Sequence, residues 1–197
     1  MQNLTVAILA GGKSSRMGRN KALLPLESKT IIEHLITNFQ PIASELFIVA
    51  NTSEYDFLGL PVYNDRYPAQ GPLAGIETAL RVATNEKVFI TACDLPLLPA
   101  GIPGHLAVNT GDFDVTVLAF KGKIEPLIGI YRKSIYPVVD QHLALKKNKI
   151  IEFYPQVKVK VINFEDLPAN LQKEEYLLNV NTPADYEKLL KIFISKE

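Results

Sequence analysis

The chain of 197 residues has a single cysteine, Cys93, so no intrachain disulfide can form, and a reducing, cytoplasmic setting is the expectation. Its three histidines, His34, His105 and His142, are too scattered for any metal-ligand spacing. Nor is there an excess of charge: 21 Lys and Arg against 21 Asp and Glu leave a formal net of +0. The basic field of a protein that packages nucleic acid is absent, and no nucleic-acid partner is expected. No apolar run approaches the ~18 residues of a membrane span. The apolar start over 4–10 gives way to glycine and basic residues, the reverse of a secretory signal, so no membrane partner is expected either.

What is present is enough apolar residue, 47%, to build a large core. Without repeat, low-complexity tract or linker, the whole of 1–197 reads as one domain. Residues 5–9 form a short aliphatic and β-branched run stopped by Gly11 and Gly12, as a buried first and central strand would be. Ile31, Ile32, Leu35, Ile36 and Phe39 share one helical face, ending before Pro41. Residues 45–50 read as a second buried strand, Leu73, Ile76, Leu80 and Ala83 as a helix opened by Gly71 and Pro72, and 87–91 as a third strand.

Strands apolar throughout and alternating with helices predict an α/β fold with a three-layer, mostly parallel, doubly wound sheet. The segment 96–111 reads as loop with a short helix, and 114–120 with 127–131 as a short antiparallel excursion. Residues 135–147 read as helix, 157–162 as a half-exposed strand, and 184–194 as the best-marked helix. There Thr182 is an N-cap, Pro183 occupies the first helical position and Asp185 can complete a capping box.

The chemistry-bearing residues cluster where such strands end. After the first strand, paired glycines are followed by Lys13, Arg16, Arg19 and Lys21, with no acid before Glu27. Glycines let backbone N–H groups turn toward an anion, so the loop suits phosphates. It is neither common phosphate loop. A Walker A sequence needs glycine where Ala7 stands, and G-x-G-x-x-G is absent.

Asp94, directly after the 87–91 strand, would lie at the same sheet edge and could hold Mg²⁺ against a triphosphate, or merely open a turn before Pro96. Cys93 has no basic neighbour in sequence to activate it and reads as a buried structural residue. Asn181, just before the last helix, is either a neutral oxygen ligand or part of the helix start.

Taken together, LAGGKSSRMGRNK at 9–21, GPLAGI at 71–76, ACDLP at 92–96, EPLIGIY at 125–131 and NVNTPADY at 179–186 resemble the molybdenum cofactor guanylyltransferase family, nucleotidyltransferases of Rossmann-like fold. The resemblance spans nearly the whole chain. It implies phosphate-gripping roles for Leu9, Ala10, Gly11, Gly12 and Lys21, base or ribose contacts from Asn51 and Asp65, and Mg²⁺ on Asp94 with Asn181 as second ligand. It implies GTP and molybdenum-loaded molybdopterin as substrates, with molybdoenzymes or other cofactor-biosynthesis proteins as further partners. Residues 121–131 would face the pterin.

The implied reaction is attack of the molybdopterin phosphate on the α-phosphorus of GTP. Lys21, Arg16 and Asp94 are its catalytic residues, through charge neutralisation and positioning rather than a general base. One departure stands out: the residue before the loop lysine is commonly Asp in that family and is Asn20 here, so Lys21 is expected to lack an acidic neighbour and the loop to be more cationic. A cytidylyltransferase acting on the same or another small phosphate shares this machinery. A non-catalytic protein that binds nucleotide or cofactor remains the alternative of a different class.

Overall fold

The structure is a computed structural model that describes residues 3–11 and 20–194. Its first strand, β1 (Leu4–Leu9), is buried along its whole length. A small hairpin of β2 (Pro25–Leu26) and β3 (Lys29–Thr30) leads into α1 (Ile31–Phe39). There follow β4 (Glu45–Val49), β5 (Val62–Tyr63), α2 (Pro72–Val82) and β6 (Lys87–Ala92). The second half contains α3 (Gly101–Asn109), β7 (Val115–Phe120), β8 (Lys123–Arg132), α4 (Tyr136–Ala144), β9 (Val159–Asn163) and α5 (Pro183–Ile194).

Among the described residues seven strands form one sheet in the order β5-β4-β1-β6-β8-β7-β9. Pairing is parallel except on the two sides of β8, which runs against β6 and β7. The expected doubly wound sheet with an antiparallel excursion is therefore the observed one. Two details differ. β1 is third in the sheet and β6 holds the middle. The short β5 escaped the sequence because two residues between Pro61 and Asn64 display no period.

Helices cover both faces. α1 and α3 bury Ile32, Leu35, Phe39, Ile102 and Leu106 against one side. α2 and α4 bury Leu73, Ile76, Leu80, Val139 and Leu143 against the other. Each such side chain fully withdrawn from water stabilises the fold by roughly 1.5–3 kcal/mol before the cost of ordering the chain. A third, smaller cluster joins Leu189 of α5 to Leu24, Leu26 and Ile31, and the Tyr186 hydroxyl donates to the Pro25 carbonyl. Among the described residues no helix is long and apolar enough to cross a membrane.

The winding fixes where a ligand can bind. From β1 the chain moves to β4 and β5 on one side, then returns past β1 to β6 on the other. Where the order reverses, loops diverge beyond the carboxyl ends of the parallel strands and leave a crevice.

Candidate nucleotide site

At that crevice lies a cavity of about 510 Å³, a volume suited to a small ligand. Leu9 and Gly11 reach it from the end of β1, Asn51 from the loop after β4, Asp65 from the loop after β5, and Cys93 and Asp94 from the end of β6. Gly71, Pro72 and Gly75 of the α2 start close one wall. Gly71 has φ +71°, a conformation glycine adopts without cost. A Cβ on Gly75 would approach the Leu9 methyls to 3.1 Å, so a larger residue there would require the Leu9 side chain to give by a few tenths of an ångström.

The ammonium of Lys21 donates to Asp94 Oδ2 at 2.6 Å and to Asn181 Oδ1 at 2.7 Å. Three residues singled out from separate motifs therefore meet. Lys21 does not lack an acidic partner: Asp94 supplies across the fold what the sequence neighbour Asn20 does not. Asn20 has its own task. Its amide nitrogen donates to Glu54 Oε2 at 3.1 Å and to the Tyr55 hydroxyl at 2.9 Å, while its oxygen accepts from the backbone N–H of Ala22 at 3.1 Å. Tyr55, 1% exposed, donates in turn to the Ala10 carbonyl at 3.2 Å. An aspartate at 20 could not donate to Glu54 and would oppose it with like charge.

Asn181 is held by both its neighbours in the chain. Val180 N–H donates to the Asp94 carbonyl at 2.9 Å, and Asn181 N–H donates to Asp185 Oδ2 at 3.1 Å. Asp185 also accepts from the Thr182 N–H and hydroxyl, each at 2.8 Å, and its own N–H donates to Thr182 Oγ1 at 3.2 Å. The expected capping box thus exists. The hydrogen bonds to Thr182 hold the Asp185 carboxyl below the usual carboxylate range.

On the opposite wall Asn51 and Asp65 close a two-bond ring. Asn51 Nδ2 donates to Asp65 Oδ2 and Asn51 Oδ1 accepts the Asp65 N–H, both at 2.8 Å. Asp65 Oδ1 is buried with no hydrogen-bond partner among the described residues, and burial raises the carboxyl despite the Asn51 bond. Leu9 is buried and lines the cavity, whereas Ala10 is buried without lining it, its N–H donating to the Val49 carbonyl at 2.9 Å. Burial, followed by the nearby Asp94 charge, pushes the Cys93 thiol up to about 12, in keeping with a structural residue. Gly12, Lys13, Arg16 and Arg19 lie outside the described residues.

The oxygen set can be tested against Mg²⁺. Asp94 Oδ2 and Asn181 Oδ1 already converge on one cationic centre, and Asp94 Oδ1 is a buried acceptor without a partner among the described residues. These are hard oxygen donors of the kind Mg²⁺ prefers. The described residues contain no group of three or more His, Cys, Asp or Glu that could hold a metal, so further coordination would come from phosphate and water, as is usual for this ion.

The 125–131 segment, singled out in the sequence, shapes this wall through a bulge that the sequence did not declare. β8 pairs Gly129 with Val117 but Glu125 with Leu118, so Pro126, Leu127 and Ile128 bulge away from β7, and Leu127 lines the cavity. The buried Tyr131 hydroxyl donates to the Pro126 carbonyl at 2.7 Å and pins the bulge. Burial raises the Glu125 carboxyl, and the charge of Asp94 adds to that. The proline in an otherwise regular strand was the available signal.

Comparison with known proteins agrees with this geometry. The chain is 81% identical over 197 residues, all of both chains, to a probable molybdenum cofactor guanylyltransferase of Carboxydothermus hydrogenoformans. It is 35% identical over 190 residues to one of Clostridium perfringens, covering 95% of this chain and 96% of the other. Among solved structures, molybdopterin-guanine dinucleotide biosynthesis protein A from Archaeoglobus fulgidus superimposes with a TM-score of 0.84 at 23% identity, over 98% of this chain and 100% of that one, a likeness of fold. The family model of the MobA-like NTP transferase domain matches residues 6–158, and with these relatives it shows that the chain belongs to the MobA-like nucleotidyltransferases.

Proposed function

We propose that the protein transfers GMP from GTP to the terminal phosphate of molybdenum-loaded molybdopterin, releasing pyrophosphate and forming the guanine dinucleotide form of the cofactor. The full-length 81% identity to a probable guanylyltransferase carries this reading. The unpartnered Asp65 Oδ1 supports the choice of base. Guanine presents two adjacent donors, N1–H and the 2-amino group, that suit a carboxylate, and cytosine offers only one amino group.

A phosphate oxygen of the acceptor attacks the α-phosphorus of GTP. The new P–O bond forms as the α–β bridge breaks, and the bonding pair leaves on pyrophosphate. The attacking group is already ionised at neutral pH, so the chain needs no general base. Its task is to orient two anions and offset their charge. Gly11 and Gly12 would accept the triphosphate close to backbone, and Lys21 with Arg16 would neutralise the leaving pyrophosphate. Asn51 and Asp65 would fix the base. Asp94 and Asn181 would hold Mg²⁺, which when bound supplies charge neutralisation at the triphosphate. The Lys121 to Tyr131 hairpin is the proposed wall for the pterin.

The deciding experiment measures pyrophosphate release from each of the four nucleoside triphosphates with molybdenum-loaded molybdopterin. Release with GTP well above the others is expected. A preference for CTP would make the protein a cytidylyltransferase, and release from none of the four would favour a binding protein.

A further inference from the structure

Directly behind Asp65, and outside the cavity, lies a group of charged and phenolic side chains that the reaction does not use. The Arg66 guanidinium donates through Nη1 to Asp140 Oδ1 and to the Tyr136 hydroxyl, both at 3.1 Å. The same nitrogen lies 3.9 Å from Glu77 Oε1, and the guanidinium carbon sits 5.3 Å from the centre of the Tyr67 ring. Tyr67 donates to the same Asp140 oxygen at 2.8 Å. Glu77, on α2, has a side chain with 0% exposure, and Arg81 Nε is its other cation at 3.5 Å.

Isolated exposed ion pairs contribute little, and the Arg66 side chain is 52% exposed. Here, however, two consecutive residues converge on one carboxylate oxygen, and a second carboxylate is buried behind them. The arrangement restricts geometry more than it adds stability. Its effect falls on Asp65. Asn51 grips Asp65 from the β4 side through two bonds, and Arg66 and Tyr67 anchor the next two residues to α4. The following turn carries Ala69 at φ +65°.

We propose that Arg66, Asp140 and Glu77 form a positioning clamp that sets how Asp65 presents its free carboxylate oxygen to the nucleotide base, and that the clamp thereby determines nucleotide discrimination. These are positioning residues, since none of them lines the cavity. The functional part rests on the guanylyltransferase reading, whereas the mechanical part does not.

The test pairs two measurements on the full-length protein and its Asp140→Asn, Arg66→Ala and Arg66→Lys variants. The first is hydrogen exchange over residues 64–70 without nucleotide. Asp140→Asn and Arg66→Ala should exchange faster there while the strand amides keep their protection. Unchanged exchange in both variants would overturn the clamp irrespective of any activity.

The second compares GTP with ITP, which lacks the 2-amino group. KM for GTP should rise roughly tenfold with kcat within about twofold, and the GTP-over-ITP preference should fall by a similar factor, the size expected for one lost polar contact. A loss of folded protein alone would lower apparent kcat and leave KM and the preference unchanged. Arg66→Lys should recover only part of the preference, because an ammonium cannot reproduce the planar fork. Faster exchange with unchanged KM and preference would overturn the functional half. If the unaltered protein releases no pyrophosphate from GTP, the guanylyltransferase reading fails, and hydrogen exchange still decides the clamp.

Discussion

Lys21 and Asp94, 73 positions apart in the chain, share a hydrogen-bonded ion pair of 2.6 Å between Nζ and Oδ2. The pair joins the loop after β1 to the loop after β6 across the crevice. Both groups are partly withdrawn from water, so each conditions the other.

Lys21→Ala and Asp94→Ala should each lower pyrophosphate release from GTP by about two orders of magnitude or more, the scale seen when a group that stabilises developing charge is removed. The thermal midpoint should remain a cooperative one, since neither residue belongs to the three apolar clusters. Near-normal turnover in either variant would remove it from the reaction.

Asn181→Ala should be milder, because the proposed metal site would lose only a neutral ligand and keep Asp94. Raising Mg²⁺ should recover part of the rate. Activity that is reduced but insensitive to Mg²⁺ would assign Asn181 to orienting Lys21 through its 2.7 Å hydrogen bond.

Asn20→Asp should weaken this chain. It removes the donors to Glu54 and Tyr55 and sets two carboxylates together. A loss of about 1 kcal/mol in urea unfolding at pH 7 is expected from the unmade bonds. Glu54→Gln in the same chain should restore most of it. Equal stability of Asn20→Asp and the unaltered protein would contradict the assigned role of the Asn20 amide.

The Asp185 cap gives a pH dependence with a definite sign. Its folded pKa lies below the ordinary 3.8, so its contribution is complete above that value and is lost as pH falls through the lowered folded pKa. Asp185→Asn should therefore flatten acid unfolding below about pH 4 and leave the slope near neutrality unchanged. An identical acid limb in both proteins would show that the cap contributes nothing to folding.

The sequence made the architecture legible where residues repeat with a period. Ile31 to Phe39 declared a helix, and the aliphatic runs of β1, β4 and β6 declared a parallel sheet. α3 was harder, because glycine and proline at 101, 103 and 104 interrupt its pattern and it reads as loop with a short helix. In the site, Lys21, Asp94 and Asn181 each stood out locally, by glycine loop, strand end and helix start. Their placement at one sheet edge made a shared cluster possible, and the family resemblance implied it. The hydrogen bonds of Asn20 to Glu54 and of Tyr67 to Asp140 left no local trace, since each joins residues 34 or more positions apart.

The contact between Lys21 and Asn181 spans 160 positions, and it orders events in time as well as in space. A nascent chain that has emerged through β6 already contains the glycine loop, Asn51, Asp65 and Asp94, yet not the Asn181 oxygen that accepts from the Lys21 ammonium. That oxygen arrives only with the segment that starts α5. The family match ends at residue 158, and the residue that completes the cluster lies beyond it. A ribosome-bound fragment that ends before Asn181 should therefore be able to fold much of its sheet while the cluster of Lys21, Asp94 and Asn181 is still unfinished.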